Sequence, residues 1–436
     1  MSRLKIQGGH PLRGEISVLG AKNVGFKLMI AALLGSGTSV IHNVPQVADV
    51  YLVRDIIEAL GGEVTIAGHT VTINPTGIKH NSIPMRLGEK ARASSMLIPI
   101  LLHYFGEGVV PYPGGDKIGR RPIDRHLKGL ERLGAVFQLE DHQLRAKGKL
   151  HGSTFKFNKI THTGTETLIL GAVVATGETF LENCALEPEV DDLIHFLSKM
   201  GAKIERQGGV IHVYGAVELY GAEYTVMPDR NEVVTFACMA LATRGDVTIQ
   251  HINNDHIEAF LDRLDKIGAS YDQSADSLRV YWERPLSATT VITRPHPGFM
   301  TDWQPIWTAL MTQAEGQSVI HETVFEHRFH YVPLLNSLGA RIEIFNHSVP
   351  NPEEFYNFNL SDDKEEYFHA ARVFGPTKFK GGEVSVPDIR AGATLTLAAL
   401  AAEAGTILTD IDHIERGYEK LEDRLKGLGA NITKDE

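Results

Sequence analysis

The stretch Met200-Gly201-Ala202-Lys203-Ile204-Glu205 is one copy of a pattern that recurs along the whole chain. In each copy a helical segment ends in a Leu-Gly-Ala-like sequence, and a run that alternates between apolar and polar residues follows. Glycine suits the left-handed conformation that often ends a helix, and a two-residue period is typical of a strand. The glycines of this pattern are Gly61, Gly134, Gly201, Gly268, Gly339 and Gly429.

A second mark recurs in the same phase, in which an apolar segment is followed by a glycine and a β-rich run. Its glycines are Gly37, Gly108, Gly177, Gly245, Gly316 and Gly405. The apolar segments at residues 28–34, 97–102 and 395–402 are apolar on most faces, which indicates buried helices, whereas residues 421–428 form an amphipathic helix that should face solvent. Six mixed α/β units, three to a domain, would give two domains with buried helices and sheets outside them.

One interval between the first set of glycines departs from the others. The intervals are 73, 67, 67, 71 and 90 residues, and the extra length lies near residues 346–375, in an acidic and aromatic insertion. A long segment without a repeat mark is most simply a surface excursion, and the alternative is a lid or a subunit contact.

Composition bounds the class of protein. The 436 residues are 43% hydrophobic and 22% charged, with a formal net charge of −11, which argues against a nucleic-acid surface. Only Cys184 and Cys238 are present, so no disulfide framework and no structural zinc site is expected. No apolar run approaches the roughly 20 residues of a membrane helix, and no signal peptide is recognisable, so we expect a cytoplasmic protein without a membrane partner.

The loop at residues 111–122, Pro-Tyr-Pro-Gly-Gly-Asp-Lys-Ile-Gly-Arg-Arg-Pro, combines turn-forming residues with an acid and three cations. Proline and glycine exclude a regular helix or a central strand here. Asp116 beside Lys117, Arg120 and Arg121 could give a proton to a bound anion that the cations hold. On these residues alone, a solvated turn with surface charges is the preferred interpretation.

Charged residues also gather just before the apolar helices begin. They are Lys22 with Asn23, Lys90 with Arg92, Asp229 with Arg230 and Glu232, Asp302, and Asp388 with Arg390. Carboxylates at these places can act as N-caps, but a cation there opposes the helix dipole, so the cations point to bound anions. A phosphate or carboxylate ligand is therefore predicted.

Several motifs together resemble the enolpyruvyl transferase family across essentially the whole chain except the insertion. They are Lys22-Asn23, Arg92-Ala93-Ser94, the loop at 111–122, Glu187-Pro188-Glu189, Pro228-Asp229-Arg230, His296-Pro297-x-Phe299-x-Thr301-Asp302, Phe325-Glu326-x-Arg328-Phe329, Asp388-x-Arg390-Ala391 and His413-Ile414-x-Arg416-Gly417-Tyr418.

The resemblance implies a fold and a division into domains. The fold is two inside-out α/β barrel domains with three repeats each. The first domain would span residues 21–227 with the catalytic loop 111–122, and the second residues 1–20 and 228–436 with the insertion near 346–375.

The reaction implied by the resemblance moves the enolpyruvyl group of phosphoenolpyruvate onto the 3'-hydroxyl of UDP-N-acetylglucosamine and releases phosphate, the first committed step of peptidoglycan precursor synthesis. Asp116 would be the general acid and Asp302 the base, while Lys22, Arg121, Arg390 and Arg416 would hold phosphoenolpyruvate. The positions that match those contacting the UDP-sugar are Asn23, Arg92, Asp124, His126, Thr161, His162, Thr163, Gly164 and Arg328. No cofactor and no metal is implied, and we expect a monomer or a weak homo-oligomer.

Two departures from the family pattern leave alternatives open. Most members have cysteine, the residue that fosfomycin alkylates, where this chain has Asp116, which implies a fosfomycin-insensitive protein. The turn at residues 161–164 reads Thr-His-Thr-Gly, where Ser-Val-Gly is common. The alternatives are a transferase for another nucleotide sugar, a relative with a small phosphorylated acceptor such as 5-enolpyruvylshikimate-3-phosphate synthase, and a non-catalytic nucleotide-sugar-binding homologue.

Overall fold

The computed structural model describes residues 2–90, 92–114, 118–216 and 218–435. Its contacts divide the chain into two compact units. The N-unit comprises Gly20–Gly115 and Pro122–Met227, and the C-unit comprises Met1–Leu19, Asp116–Arg121 and Pro228–Glu436. The sequence predicts that the whole loop 111–122 belongs to the first domain, whereas its described residues Ile118–Arg121 group with the C-unit.

The strands are short and evenly spaced through the described parts of the chain. In chain order they are β1 Arg3–Gln7, β2 Arg13–Ser17, β3 Ser39–His42, β4 Glu63–Ala67, β5 Thr70–Asn74, β6 Glu107–Pro111, β7 Val136–Glu140, β8 Gln143–Lys147, β9 Thr154–Lys156, β10 Glu178–Glu182, β11 Lys203–Gln207, β12 Val210–Tyr214, β13 Glu223–Thr225, β14 Asp246–Gln250, β15 Ser270–Gln273, β16 Ser277–Tyr281, β17 Thr290–Ile292, β18 Gly316–His321, β19 Arg341–Phe345, β20 Ala370–Gly375, β21 Gly382–Ser385, β22 Gly405–Thr409 and β23 Asn431–Asp435.

The helices alternate with these strands. They are α1 Lys22–Ala31, α2 Ala48–Leu60, α3 Met85–Gly88, α4 Ile98–Phe105, α5 Asp124–Arg132, α6 His162–Val174, α7 Pro188–Lys199, α8 Arg230–Ala242, α9 Glu258–Ile267, α10 Gln304–Met311, α11 Val332–Ser337, α12 Pro352–Phe355, α13 Ile389–Ala401, α14 Asp412–Glu415 and α15 Leu421–Gly427, with 3₁₀ turns at Ala32–Leu34, Arg92–Leu97, Asn254–Ile257 and Leu360–Asp362.

The sheets of the N-unit share one plan, in which a parallel edge strand precedes an antiparallel trio. Their orders are β13-β3-β5-β4, β9-β10-β12-β11 and β6-β8-β7. In the third sheet a single bridge between Ser82 and Val109 stands in for the parallel edge strand, with Ile83 N donating to the Val109 carbonyl at 3.0 Å. All three sheets of this unit therefore share one spatial order, although the edge strand β13 of the first sheet comes from the end of the unit.

The sheets of the C-unit follow the same plan. Their orders are β2-β14-β16-β15, β17-β18-β20-β19 and β21-β22-β1-β23. The N-terminal strand β1 runs antiparallel to both β22 and β23, so it completes the sheet of the last repeat. The prediction of two α/β units with three repeats each is confirmed. Within the described residues the sheets are separate ladders and form no closed barrel.

The most apolar helices lie at the centre of each unit. In the C-unit α8, α10 and α13 pack on one another, and every residue of α8 is buried. In the N-unit α4 packs on α6, and both contact the 3₁₀ turn Arg92–Leu97, as α1 does. Helices that are apolar all round must be covered on all sides, so the sheets lie outside them, as predicted. Each unit has its own hydrophobic core.

The first set of repeat glycines has the predicted conformation. Gly61, Gly134, Gly201, Gly268, Gly339 and Gly429 have φ angles of 104°, 104°, 110°, 69°, 106° and 92°. All six are left-handed, which a residue with a Cβ adopts only at a cost, so these glycines end helices in every repeat.

The insertion is shorter than predicted. Its last residues, 370–375, form β20, which pairs with β18 and β19. The true insertion is residues 346–369, the connection between β19 and β20. In the equivalent hairpin β11–β12 only Gly208 and Gly209 connect the strands.

Pro99 lies in the second apolar segment, so the sequence predicts an interrupted helix there, but the structure shows no interruption. It lies in the first turn of α4, where its missing N–H costs no helical hydrogen bond. Within the described residues, no helix combines the length and apolar character needed to cross a membrane.

Candidate active-site residues

In the C-unit an acid and an arginine meet where two central helices begin. Asp302 lies just before α10, and Arg390 lies in the first turn of α13. Arg390 Nε donates to Asp302 Oδ1 at 2.8 Å, and Arg390 Nη1 donates to Tyr418 Oη at 3.1 Å. Tyr418 Oη also lies 2.9 Å from Thr235 Oγ1. The guanidinium is thus held from two sides, by a carboxylate and by a buried phenol.

Electrostatics keep Asp302 ionised. Burial opposes the charged form, but the charges of Arg390, Arg328 and Arg121 outweigh it and hold the pKa of Asp302 well below its usual range. Burial likewise opposes the charge on Arg390, and Asp302 outweighs it, so the pKa of Arg390 is raised. At neutral pH the pair is a carboxylate and a guanidinium.

The backbone of Arg390 is positioned by Asp388, the N-cap of α13. Its Oδ1 accepts from Arg390 N at 2.9 Å and from Ala391 N at 3.1 Å. Its other oxygen lies 2.6 Å from His330 Nε2. Burial works against ionisation, but these hydrogen bonds and the Arg328 charge lower the pKa of Asp388. Asp388 is therefore best explained as a helix cap.

Three further arginines of the C-unit were predicted as site residues, and each lies on a different part of the chain. Arg328 is 2% exposed, and its Nη2 donates to the Thr301 carbonyl at 3.4 Å. Arg121 lies with its Cζ 5.7 Å from the centre of the Phe325 ring. Arg416 is half-buried at the end of α14, with its N donating to the Asp412 carbonyl at 3.1 Å. Asp116, the predicted general acid, lies outside the described residues.

In the N-unit, Lys22 and Asn23 form the start of α1. Lys22 Nζ lies 2.8 Å from Asp49 Oδ2, and the two side chains are 10% and 17% exposed. Asn23 is half-buried. A helix N-terminus favours negative charge, so Lys22 and the start of α1 together suit an anionic group.

The turn at residues 161–164 forms the start of α6. Thr161 is the N-cap, and its hydroxyl accepts from Gly164 N at 3.3 Å. Thr163 Oγ1 lies 2.9 Å from His126 Nε2. His126 is 2% exposed, so it is a buried histidine although it lies on the polar helix α5. Burial, with the charges of Arg92 and Arg125, lowers the pKa of His126 to about 3, so this ring is neutral.

Two other predicted residues of the N-unit, Arg92 and Asp124, lie close to Pro122, the last residue of the loop 111–122. Arg92 Nη2 donates to the Pro122 carbonyl at 3.1 Å, and Asp124 lies in the first turn of α5. The structure therefore brings His126 to Thr163 and Arg92 to the end of the loop.

His162 belongs to a buried ionic cluster that the sequence analysis missed. Lys27 Nζ lies 2.6 Å from Glu166 Oε2 and 3.2 Å from His162 Nε2, with Lys27 and Glu166 at most 3% exposed. Burial and the Lys27 charge disfavour protonation of His162, but Glu166 and Glu187 outweigh them, so the pKa of His162 is raised. A lysine within an apolar helix is a sequence signal that could have revealed the cluster, since a buried charge needs a partner.

Tyr418 and Asp49 were also missed as partners of predicted site residues. Tyr418 ends the motif that begins at His413, but nothing in its local sequence connects it with Arg390. Among the described residues no cluster of His, Cys, Asp and Glu could hold a metal ion.

The fold and these residues define a class of protein. A family model described as EPSP synthase (3-phosphoshikimate 1-carboxyvinyltransferase) matches residues 6–425. The chain therefore belongs to this family of carboxyvinyl (enolpyruvyl) transferases, and the resemblance found in its motifs is confirmed.

Within this family, two relatives with high similarity carry the same enzyme name. The UDP-N-acetylglucosamine 1-carboxyvinyltransferase of Koribacter versatilis is 40% identical, covering 100% of this chain and 96% of the relative. UDP-N-acetylglucosamine 1-carboxyvinyltransferase 3 of Caldanaerobacter subterraneus subsp. tengcongensis is 39% identical, covering 100% and 99%.

Solved structures share the fold. The crystal structure of the enolpyruvyl transferase NikO from Streptomyces tendae has a TM-score of 0.87 at 26% identity, covering 99% of this chain and 98% of that one. EPSP synthase from Acinetobacter baumannii has a TM-score of 0.73 at 17% identity, with both chains fully covered, which shows a common fold alone.

Proposed function

We propose that this protein transfers the enolpyruvyl group of phosphoenolpyruvate to the 3'-hydroxyl of UDP-N-acetylglucosamine and releases phosphate. The pairing of Asp302 with Arg390 carries the proposal, because it sets a carboxylate that is ionised at neutral pH against a guanidinium, at the N-terminal ends of two helices. Relatives that match over their full length and are named UDP-N-acetylglucosamine 1-carboxyvinyltransferase support the choice of acceptor.

The arginines suit phosphoenolpyruvate. Its carboxylate and phosphate are both met well by the planar fork of arginine, which can donate two parallel hydrogen bonds. Arg390, Arg121 and Arg328 already act together on Asp302. An anion that binds Arg390 competes with Asp302 for the guanidinium, which raises the pKa of Asp302 and makes it a better base.

The proposed chemistry is an addition followed by an elimination. The sugar 3'-hydroxyl oxygen bonds to C2 of phosphoenolpyruvate, its proton goes to Asp302, and C3 gains a proton from Asp116. The tetrahedral adduct then loses phosphate from C2 and returns a proton from C3 to the Asp116 carboxylate, which restores the double bond in the product. The proton held by Asp302 leaves with the phosphate, so both carboxyl groups are restored. The cations stabilise the negative charge carried through these steps.

The N-unit residues suit the nucleotide sugar. The N-terminus of α6, with Thr161 as its cap and a protonatable His162, favours a diphosphate. His126 is neutral and donates or accepts a hydrogen bond without adding charge. Lys22, Asn23, Arg92 and Asp124 complete the proposed binding residues of this unit, and Arg416 those of the C-unit.

We also propose that the protein works in the cytoplasm as a monomer or weak homo-oligomer. Its substrates are both highly charged small molecules, and the net charge of −11 gives no attraction to nucleic acid. No metal and no organic cofactor enters the proposed chemistry.

The test is phosphate release from phosphoenolpyruvate, with and without UDP-N-acetylglucosamine. The intact protein should release phosphate only when both substrates are present. Asp302→Asn, which keeps the shape but removes the base, should lower kcat by about 10²–10⁴-fold. Its affinity for UDP-N-acetylglucosamine, measured by calorimetry, should stay within about threefold.

Asp246→Asn is the matched control, since Asp246 also pairs with an arginine, Arg279, but on the outer sheet of the C-unit. It should keep full activity. Equal loss of acceptor binding and turnover in Asp302→Asn would contradict the role given to Asp302. Phosphate release only with a different nucleotide sugar would move the proposal to that acceptor.

A further inference from the structure

The insertion at residues 346–369 is anchored in the C-unit by aromatic and backbone contacts. Tyr356 and Phe358 are 6% and 5% exposed, and their ring centres lie 4.8 Å apart. Tyr356 Oη lies 3.1 Å from His321 Nε2, at the end of β18, and Asn357 N donates to the Thr323 carbonyl at 2.7 Å. An acidic surface excursion would bury no such residues, so this segment has a defined place in the unit.

The anchored segment presents one buried carboxylate, Asp362. It lies in the 3₁₀ turn Leu360–Asp362, where Asp362 N donates to the Asn359 carbonyl at 2.9 Å and Asn359 Nδ2 donates to Asp362 Oδ2 at 3.2 Å. The Asp362 side chain is 4% exposed. A carboxylate at this depth needs charged or polar partners on both oxygens.

Asp362 meets the final part of the loop 111–122. Arg120 Nη1 donates to Asp362 Oδ1 at 2.6 Å, while the Arg120 side chain as a whole is 71% exposed. The carboxylate is thus fixed by the fold and the arginine reaches it from the surface. Asp362 therefore positions Arg120 and not the reverse, because the long, exposed arginine side chain has more rotamer freedom to lose on pairing.

The backbone beside Arg120 is held at a second point. Arg120 N donates to Glu326 Oε1, and a Cβ placed on Gly119 would lie 2.5 Å from Glu326 Cδ and Oε2. Gly119 has a φ of 142°, which disfavours other residues. Ile118 is 6% exposed, and Arg121 lies over Phe325. The described end of the loop therefore rests on Phe325, Glu326 and Asp362.

We infer that Asp362, supplied by the insertion, is a positioning residue that holds Ile118–Arg121 and thereby sets the place of Arg121 over the Phe325 ring. The inference rests on the proposed function for its kinetic consequence. The geometry itself involves only the C-unit.

Hydrogen exchange of Asp362→Asn tests the geometric part. The amide of Arg120, protected by Glu326, should exchange about fivefold faster, because a neutral amide accepts a weaker hydrogen bond from Arg120 than a carboxylate does. Asp363→Asn is the matched control, since Asp363 is the next residue and its Oδ1 lies 3.1 Å from His369 Nε2. Asp362→Glu, which restores the charge, should recover most of the protection.

Steady-state kinetics of the same variants test the functional part. Asp362→Asn should lower kcat/KM for phosphoenolpyruvate about fivefold and leave the affinity for UDP-N-acetylglucosamine unchanged, while Asp363→Asn behaves as the intact protein. Unchanged exchange at Arg120 in Asp362→Asn would overturn the inference whatever the substrate is. Faster exchange without any kinetic effect would overturn the positioning role, and absence of turnover in every variant, including the intact protein, would instead count against the proposed function.

Discussion

Asp302 and Arg390 show how one contact sets the chemistry of two residues. An isolated aspartate and an isolated arginine are ordinary surface residues, yet at 2.8 Å each keeps the other charged despite burial. Tyr418 extends the same effect, since its buried hydroxyl fixes Arg390 Nη1 at 3.1 Å. The residue types alone predict one negative and one positive side chain. The short distance between the two side chains is what keeps both charged in the site.

Asp116 gives a second prediction at the scale of single residues, and this prediction follows from the sequence alone. Fosfomycin alkylates the family's cysteine at this position, and a carboxylate is a much weaker nucleophile towards an epoxide. The intact protein should therefore keep its activity after incubation with fosfomycin, whereas Asp116→Cys should lose activity with time and gain one adduct by mass spectrometry. An adduct on Asp116 in the intact protein, formed in proportion to inactivation, would refute this.

At the scale of elements, the insertion between β19 and β20 adds a histidine-rich cluster to one sheet. Burial, with the nearby His347, His369 and Arg294, lowers the pKa of His321 from 6.5 to about 4. The unfolded chain therefore binds a proton at His321 between these pH values, while the folded chain does not.

Stability should consequently fall as the pH falls from about 6.5 to about 4, by at most about 3 kcal/mol from this group. Well above pH 6.5, His321 should make no contribution to the change of stability with pH. Urea unfolding at pH 7.5 and pH 5 would measure the effect, which should shrink in His321→Gln. The exposed His80 serves as the control position, and an equal reduction in His80→Gln would show that His321 is not the source.

At the scale of the whole molecule, each unit has its own core, and a buried ion pair lies inside one of them. Lys27 and Glu166 connect α1 with α6 in the N-unit. Removing one partner leaves the other charge buried and unpaired, which is far more costly than losing an exposed pair.

Glu166→Ala should therefore destabilise the N-unit by about 3–5 kcal/mol. Hydrogen exchange should reveal the loss in α1 and α6, with α8, α10 and α13 of the C-unit retaining their protection. Glu205→Ala, which breaks an exposed contact with Lys203 on β11, should cost less than about 1 kcal/mol. Equal loss of protection in both units would mean that the two cores unfold as one.

The sequence by itself determined the sixfold plan of this protein. Leu-Gly-Ala-like helix ends, apolar helices and alternating strands are local signals, because capping and periodicity depend on neighbouring residues. The charged residues before the central helices were recognisable for the same reason, and so were the two α/β units. The sequence was misleading at two places. Pro99 looks like a helix breaker until the start of α4 is known, and residues 370–375 look like part of a loop until β18 and β19, with which they pair, are known.

Only the tertiary structure decided which side chains meet. Asp302 and Arg390 are 88 positions apart in the chain, Lys27 and Glu166 are 139 apart, and Arg120 and Asp362 are 242 apart. Burial of His126 and of Asp362 follows from packing against distant elements, which no local pattern encodes. A pKa shift or an ion pair depends on distance and burial, so these properties came from the folded chain alone.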